Sequence, residues 1–257
     1  MSGKNPTGGY TIGHLPGQRW TIGAEMVGTV RPQPSSRPVR IPARPLDVEI
    51  DVARTALLVV DMQNDFLHPD GWFAGRGVDV SPLAAVMPAV RDLSATCRAA
   101  NFPVVWVNWG VGYGADGLPA NVLFRGKRKA DAVGYGEPGA LREGSWGAAV
   151  ADDLLPEASD LVVPKQRFSG FYETRLDSVL RNLGVTTLLF AGVNVDRCVF
   201  ETLTDAGARG YDCLLVEDAC ATVSPPEIGR AITWLVAELH GFVVRLDQLA
   251  EGLAPTP

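Results

Sequence analysis

Three residues suited to nucleophilic hydrolysis recur at one kind of place in this 257-residue chain, the end of an apolar segment. Asp61 closes TALLVVD, Lys165 closes DLVVPK, and Cys198 follows TTLLFAGV after a short turn. A thiol attacks a carbonyl carbon only as the thiolate, so it needs a base to take its proton and a cation to balance the charge. Asp61 and Lys165 are of the types that supply both. Cys198 also falls where the next helix should begin, so the helix N-terminus and a nearby lysine are expected to lower its pKa and raise the thiolate fraction at neutral pH. Singly, each residue has a plainer explanation: a turn cap for Asp61, a solvated strand end for Lys165, a small buried hydrophobe for Cys198. Jointly, an acid, a base and a thiol on one rim favour catalysis. The rival is a non-catalytic binding protein on the same scaffold, which labelling of Cys198 would distinguish.

Aromatic residues cluster near the same segment ends. Phe66, Trp109, Phe168, Phe171 and Tyr172 are expected to wall a substrate pocket, with Trp72, Tyr113 and Trp146 as further candidates and ordinary packing as the alternative. Arg167, two residues past Lys165, is the expected anchor for a substrate carboxylate, and Arg125 is a second candidate; solvated surface charge is the alternative for both. Gly112, Gly114 and Gly117 spell G-x-G-x-x-G, the pattern of a dinucleotide-binding turn. Leu118-Pro119 follows where a helix should open toward pyrophosphate, so the match reads as accidental and no cofactor is expected. His14, His68 and His240 are far apart, and Cys97, Cys198, Cys213 and Cys220 lack metal-ligand spacing, so no metal is expected and the cysteines read as free thiols.

These side chains need a scaffold that brings segment ends together. From residue 54 onward, short β-branched runs (55–61, 103–108, 160–165, 186–193, 211–218 and 241–246) alternate with amphipathic stretches. That is the pattern of parallel strands joined by crossover helices, and the lack of polar alternation says both faces of the strands are covered. The expected fold is α/β: a doubly wound, mostly parallel six-stranded sheet with helices on both faces, a Rossmann-like three-layer sandwich over residues 54–257. The first, third and fourth strands are expected to be neighbours, with the second beyond the first, so that three short side-chain reaches can meet. The glycine-rich stretch 109–158 reads as a pocket wall or lid.

Residues 1–53 are rich in proline, glycine and arginine and read as an arm without its own core. Trp20, Ile22, Met26 and Val27 give it an apolar patch, so it is expected to pack on its own domain or on a neighbouring subunit of a dimer or tetramer. The net charge of −6 and the scattered basic residues argue against a nucleic-acid partner. Without a membrane-length apolar run or a signal-peptide core, a cytoplasmic protein with a small-molecule substrate and no membrane partner is expected.

The segments ALLVVDMQNDF, VVPKQRFSGFYETRLDSVL and LLFAGVNVDRCVFETLTDAGARGYDCLLVEDA, in that order, resemble the isochorismatase-like cysteine hydrolases. The resemblance spans roughly residues 54–245 and is nearest to the ureidoacrylate amidohydrolases and N-carbamoyl amidases. It implies the isochorismatase-like hydrolase fold and hydrolysis of a carbon–nitrogen bond in a small ureido, carbamoyl or carboxamide compound. It also implies a triad of Asp61, Lys165 and Cys198, a cis peptide at Val193–Asn194, and an oxyanion hole formed by the backbone amides of Asn194 and Cys198. The chain departs from the family pattern at Val195, where a threonine is common. The aspartate and histidines that metal-dependent nicotinamidases carry after the second strand are missing, which leaves an aryl or alkyl carboxamide as the alternative substrate to a ureido one.

Overall fold

The computed structural model describes residues 9–13, 18–31, 35–112, 117–137 and 140–254. Tyr113, His14 and Gly114 lie outside these residues. The chain opens with an antiparallel three-stranded sheet, β1 (Tyr10–Ile12), β2 (Trp20–Ile22) and β3 (Val27–Gly28), then a hairpin, β4 (Pro38–Ile41) and β5 (Val48–Asp51). Then come β6 (Thr55–Val60), α1 (Asn64–Leu67), α2 (Trp72–Gly75), α3 (Ser81–Ala84), α4 (Met87–Ala99), β7 (Val104–Trp109), α5 (Ala120–Gly126) and β8 (Leu161–Lys165). The second half adds α6 (Leu176–Leu183), β9 (Thr187–Val193), α7 (Phe200–Ala208), β10 (Asp212–Ala221), α8 (Pro226–Leu235), β11 (Phe242–Val244) and α9 (Leu246–Leu253).

The apolar runs are strands because burying a continuous row of Val, Leu and Ile requires cover on both faces, which crossover helices provide. Every residue of β6, β7 and β9 is buried. The six strands β6 to β11 form one sheet, all parallel, in the order β11-β10-β9-β6-β7-β8. The chain steps outward from β6 in one direction, returns, and steps outward in the other. The order therefore reverses between β6 and β9, and such a reversal opens a crevice beyond the strands' carboxyl ends. Gly192 lets the two halves close there: at φ 115°, any Cβ would fall 2.1 Å from the Val60 carbonyl oxygen.

This order corrects the expected one. The strand ending at Lys165 is not beside β6; β7 lies between them, and β8 is the outer edge. After β7 the chain takes a second step outward to β8 instead of doubling back past β6, and the place beside β6 is filled later by β9. As an edge strand, β8 is only partly covered, and Val162 is 43% exposed. The helix opening at Ala120, directly after Pro119, is only seven residues long and was not anticipated; nor was α9.

The arm divides in two. Ile41, Ile50 and Val52 are buried in the core of the α/β fold, and Arg44 pairs through its backbone with Val243, covering the β11 edge. An edge strand's free amides invite pairing with other chains, so this cover has a physical purpose. In β1 to β3, by contrast, Tyr10, Ile12, Trp20 and Val27 are exposed, as is Met26 just before β3. Among the described residues, no helix is long and apolar enough to cross a membrane.

Candidate active site

The crevice at the β6/β9 reversal collects the three residues singled out from the sequence. Asp61 is the first residue after β6 and turns at φ 54°, a region in which aspartate is among the few non-glycine residues tolerated. Lys165 is the last residue of β8, and its Nζ donates to Asp61 Oδ2 at 2.9 Å and to the Arg167 carbonyl oxygen at 3.2 Å. Two strand spacings, about 9.6 Å, separate β8 from β6. The four-carbon lysine stem lies over the end of β7 to cover that distance, which is why the sheet order could differ from expectation without separating the pair. Both side chains are withdrawn from solvent.

Cys198 sits in a π-helical turn, Val195–Val199, that leads into α7. The peptide Val193–Asn194 before it is cis. The turn lacks the threonine hydroxyl that Val195 replaces, and the loop after β10 supplies hydroxyls instead. Thr222 and Ser224 hydrogen-bond the Asp196 carboxylate, while Asn194 Oδ1 accepts from Val223 N at 3.0 Å. The sequence signal was present in ATVSP but is separated by more than twenty residues from the turn it organises.

Burial pushes the Cys198 thiol up, the Asp61 carboxylate pushes it further, and Lys165 only partly opposes them. This runs against the expected lowering of the Cys198 pKa: a helix terminus and a lysine do not outweigh full desolvation beside a carboxylate, and the net push favours the neutral thiol. Burial likewise raises Asp61 against the pull of Lys165 and Cys198. A more basic carboxylate is a better match for a thiol proton. Besides Lys165, the groups that face the buried Asp61 carboxylate are the Cys198 thiol and the Trp109 amide, whose hydrogen bonding counts among the influences lowering it.

A cavity of about 430 Å³ opens onto Cys198. Phe66, Trp109 and Phe168 line it, as expected, and so does Trp72. Phe171, Tyr172 and Arg167 do not. Phe171 is buried against Tyr211, Tyr172 is exposed, and the Arg167 guanidinium bonds Gly117 O, Gln166 O and Glu173. The chain turns directly after β8, so two residues past Lys165 is no longer the same rim. The basic groups that do reach the cavity are Arg76, Arg125, Arg128 and Arg197, with Asp196 and Glu201 the acids among them. Of these, only Arg125 was singled out from sequence. Tyr135 was also missed by name, although it lies in the glycine-rich stretch expected to form a wall; it stacks on Trp109 at 4.9 Å with the rings 5° apart.

Gln63, Asn64 and Asp65 tie this wall to the strand that carries Asp61. Gln63 Nε2 donates to the carbonyls of Trp109 and Ala148, and its Oε1 accepts from Trp109 N. Asn64 donates to Trp146 O, and Asp65 accepts from Trp72 N and Leu141 N. Four of the six polar atoms in these three side chains thus bond the backbone of 109–148. No group of His, Cys, Asp and Glu residues among those described could hold a metal ion.

A profile of the isochorismatase domain matches residues 55–245. The chain is 38% identical over 214 residues to a ureidoacrylate amidohydrolase of Methylobacterium radiotolerans, covering 80% of this chain and 81% of that one. It is 32% identical over 232 residues to a ureidoacrylate amidohydrolase of Stutzerimonas stutzeri, covering 87% and 92%. Among solved structures, a cysteine hydrolase from Pseudomonas syringae superposes with a TM-score of 0.70 at 25% identity over 85% of this chain and 98% of that one. An N-carbamoylsarcosine amidase from Thermoplasma acidophilum superposes with a TM-score of 0.58 at 32% identity over 76% and 97%.

Proposed function

Because the chain belongs to the isochorismatase family, we propose that it is a cysteine-dependent amidohydrolase acting on a small ureido or carbamoyl acid, with Cys198 as nucleophile, Asp61 as base and Lys165 as counter-charge. The observation that carries this reading is the buried Asp61 carboxylate, held by Lys165 at 2.9 Å and within hydrogen-bonding reach of the equally buried Cys198 thiol. Asp61 takes the thiol proton, and the thiolate attacks the carbonyl carbon. The backbone amides of Asn194 and Cys198 stabilise the oxyanion, a contribution of about 3–4 kcal/mol per donor in acyl transfer. Protonated Asp61 then delivers its proton to the departing nitrogen, leaving a covalent thioester-type intermediate. In the second half, Asp61 activates the water that releases it.

Substrate charge is read from the cavity. Four arginines against two acids reach it in a chain whose net charge is −6, and neither Arg125 nor Arg128 has an ion-pair partner among the described residues. That local excess favours a substrate carrying a carboxylate. The names of the amidohydrolase relatives support a ureido acid. The aromatic lining favours a second reading, a planar aryl carboxamide.

A release assay for ammonia and amine over ureido acids, N-carbamoyl amino acids, alkyl amides and nicotinamide tests both. Ureido acids are expected to turn over fastest, and fast hydrolysis of nicotinamide with none of ureido acids would reverse the ranking. For the acid substrate, Arg125→Ala should raise KM about tenfold with kcat nearly unchanged, the signature of lost uniform binding. Neutral amides should be unaffected.

A cytoplasmic homo-oligomer is part of the same proposal. Ile228 and Trp234 on α8, Leu239 beyond it, and Tyr10, Ile12, Trp20 and Val27 of β1 to β3 are exposed in the single chain, and the cysteines are free. Light scattering of the purified protein at a monomer's mass would remove the oligomer from it.

A further inference from the structure

Trp109 was expected as a wall of the pocket, but its indole touches the reacting groups themselves. It is only 2% exposed, and its Nε1 donates to Cys198 Sγ at 3.4 Å. Lys165 Nζ lies 4.4 Å from the centre of the same ring. Both contacts follow from register: Trp109 and Lys165 are paired residues at the ends of adjacent parallel strands, so their side chains leave the same face of the sheet. Three further contacts fix the ring. Tyr135 stacks on it, Phe168 meets it edge-on at 6.0 Å, and both polar atoms of its peptide are held by the Gln63 side chain.

We propose that Trp109 is a further catalytic group, whose indole N–H stabilises the Cys198 thiolate once Asp61 has taken the proton. The inference rests on the cysteine-hydrolase reading of the site. The physics is that of a preorganised donor. An N–H fixed in a dry site interacts more strongly with a thiolate than with a thiol, and it need not reorient when the charge appears. Asp61 cannot do this, because it carries like charge before the transfer and is neutral after it. Lys165 is bonded to Asp61 and to the Arg167 carbonyl, so its charge is shared. The indole N–H has no other hydrogen-bond acceptor among the described residues. The ring face toward Lys165 serves a separate purpose: it offers an attractive surface for the cation without a competing anion.

Two variants separate the N–H from the ring. Trp109→Phe keeps an aromatic face and loses the donor. Replacement of Trp109 by 3-benzothienylalanine keeps the bicyclic shape and exchanges only the N–H for sulfur. Both proteins are tested as full chains, with circular dichroism and melting temperature to confirm folding. The first readout needs no substrate: the rate of iodoacetamide alkylation of the Cys198 peptide between pH 7 and 9, followed by mass spectrometry. Alkylation tracks the thiolate fraction.

Loss of a hydrogen bond to the charged form should slow alkylation about tenfold in both variants. On the ureido acid that the wild type hydrolyses, kcat should fall by about 10- to 100-fold with little change in KM. Wild-type alkylation rates in the benzothienylalanine protein would overturn the proposal, whatever Trp109→Phe does, because only packing would then be at stake. If no amide or ureido compound is turned over by the wild type, the proposed function fails while the alkylation comparison still decides this inference.

Discussion

Replacing Cys198 with alanine is expected to lower kcat by about 10⁴-fold or more, the scale seen when the nucleophile of a covalent hydrolase is removed, while the fold survives. Cys198 is 5% exposed, so its stability cost is that of a small core truncation, about 1 kcal/mol. In a chain of this length that lowers Tm by about 2–4 °C. Cys97 supplies the contrast. It too is buried, on α4, where burial alone pushes its thiol up and no carboxylate or lysine faces it. Cys97→Ala should cost similar stability and leave kcat unchanged. Steady-state kinetics and thermal melts on the two proteins check the pair. Near-normal turnover by Cys198→Ala would remove the covalent mechanism, and equal activity losses in both would show that the effect is structural.

That contrast was only half visible in the sequence. Strand ends are legible because a continuous apolar run has few ways to be buried, and the polar residue that ends it must sit at the rim. Hence Asp61, Lys165 and Cys198 could be placed on one edge of one sheet. Their order across the sheet could not, because it depends on which flank each crossover takes, and nothing in residues 110–160 encodes that locally. Lys165 tolerated the error because its stem is long. Arg167 did not: adjacency in sequence says little once a turn intervenes, and its guanidinium goes to Gly117 and Glu173 instead of the cavity. Likewise the arm read as coreless because Ile41 and Ile50 are isolated apolar residues among prolines and charges. Their burial exists only in contact with the rest of the fold.

Trp109 shows the limit most clearly. Its type and position at a strand end suggested an aromatic wall, and it does line the cavity. Its bond to Cys198 depends on parallel register with Lys165 and on the approach of β9's following turn to β7 across the end of β6. Both are tertiary facts. The missing hydroxyl at Val195 is a similar case. The turn's organisation passed to Thr222 and Ser224, which local pattern reading could not connect to it.

The second large effect concerns stability as much as catalysis. Lys165→Met should abolish turnover and, near neutral pH, destabilise the protein by about 3–5 kcal/mol, the cost of leaving a buried charge without its partner. The side chains of Lys165 and Asp61 are 0% and 2% exposed, so solvent cannot replace the lost cation. The Asp61 carboxyl is already raised by burial, and Lys165 is the largest influence opposing that rise. Without the lysine it rises further. A carboxyl whose folded pKa lies above its unfolded value favours the folded state most when protonated, at acidic pH, and loses that advantage as pH climbs toward the folded pKa. The stability gap between wild type and Lys165→Met should therefore widen from acidic to neutral pH. Adding Asp61→Asn removes the group that titrates, so the double variant should be equally inactive, yet recover much of the stability and show a gap nearly flat in pH. Urea denaturation of the three proteins between pH 5 and 8 measures this. A Lys165→Met protein as stable as wild type across that range would mean that Asp61 is not held as a buried carboxylate by Lys165, and the base assigned to Cys198 would have to be sought elsewhere.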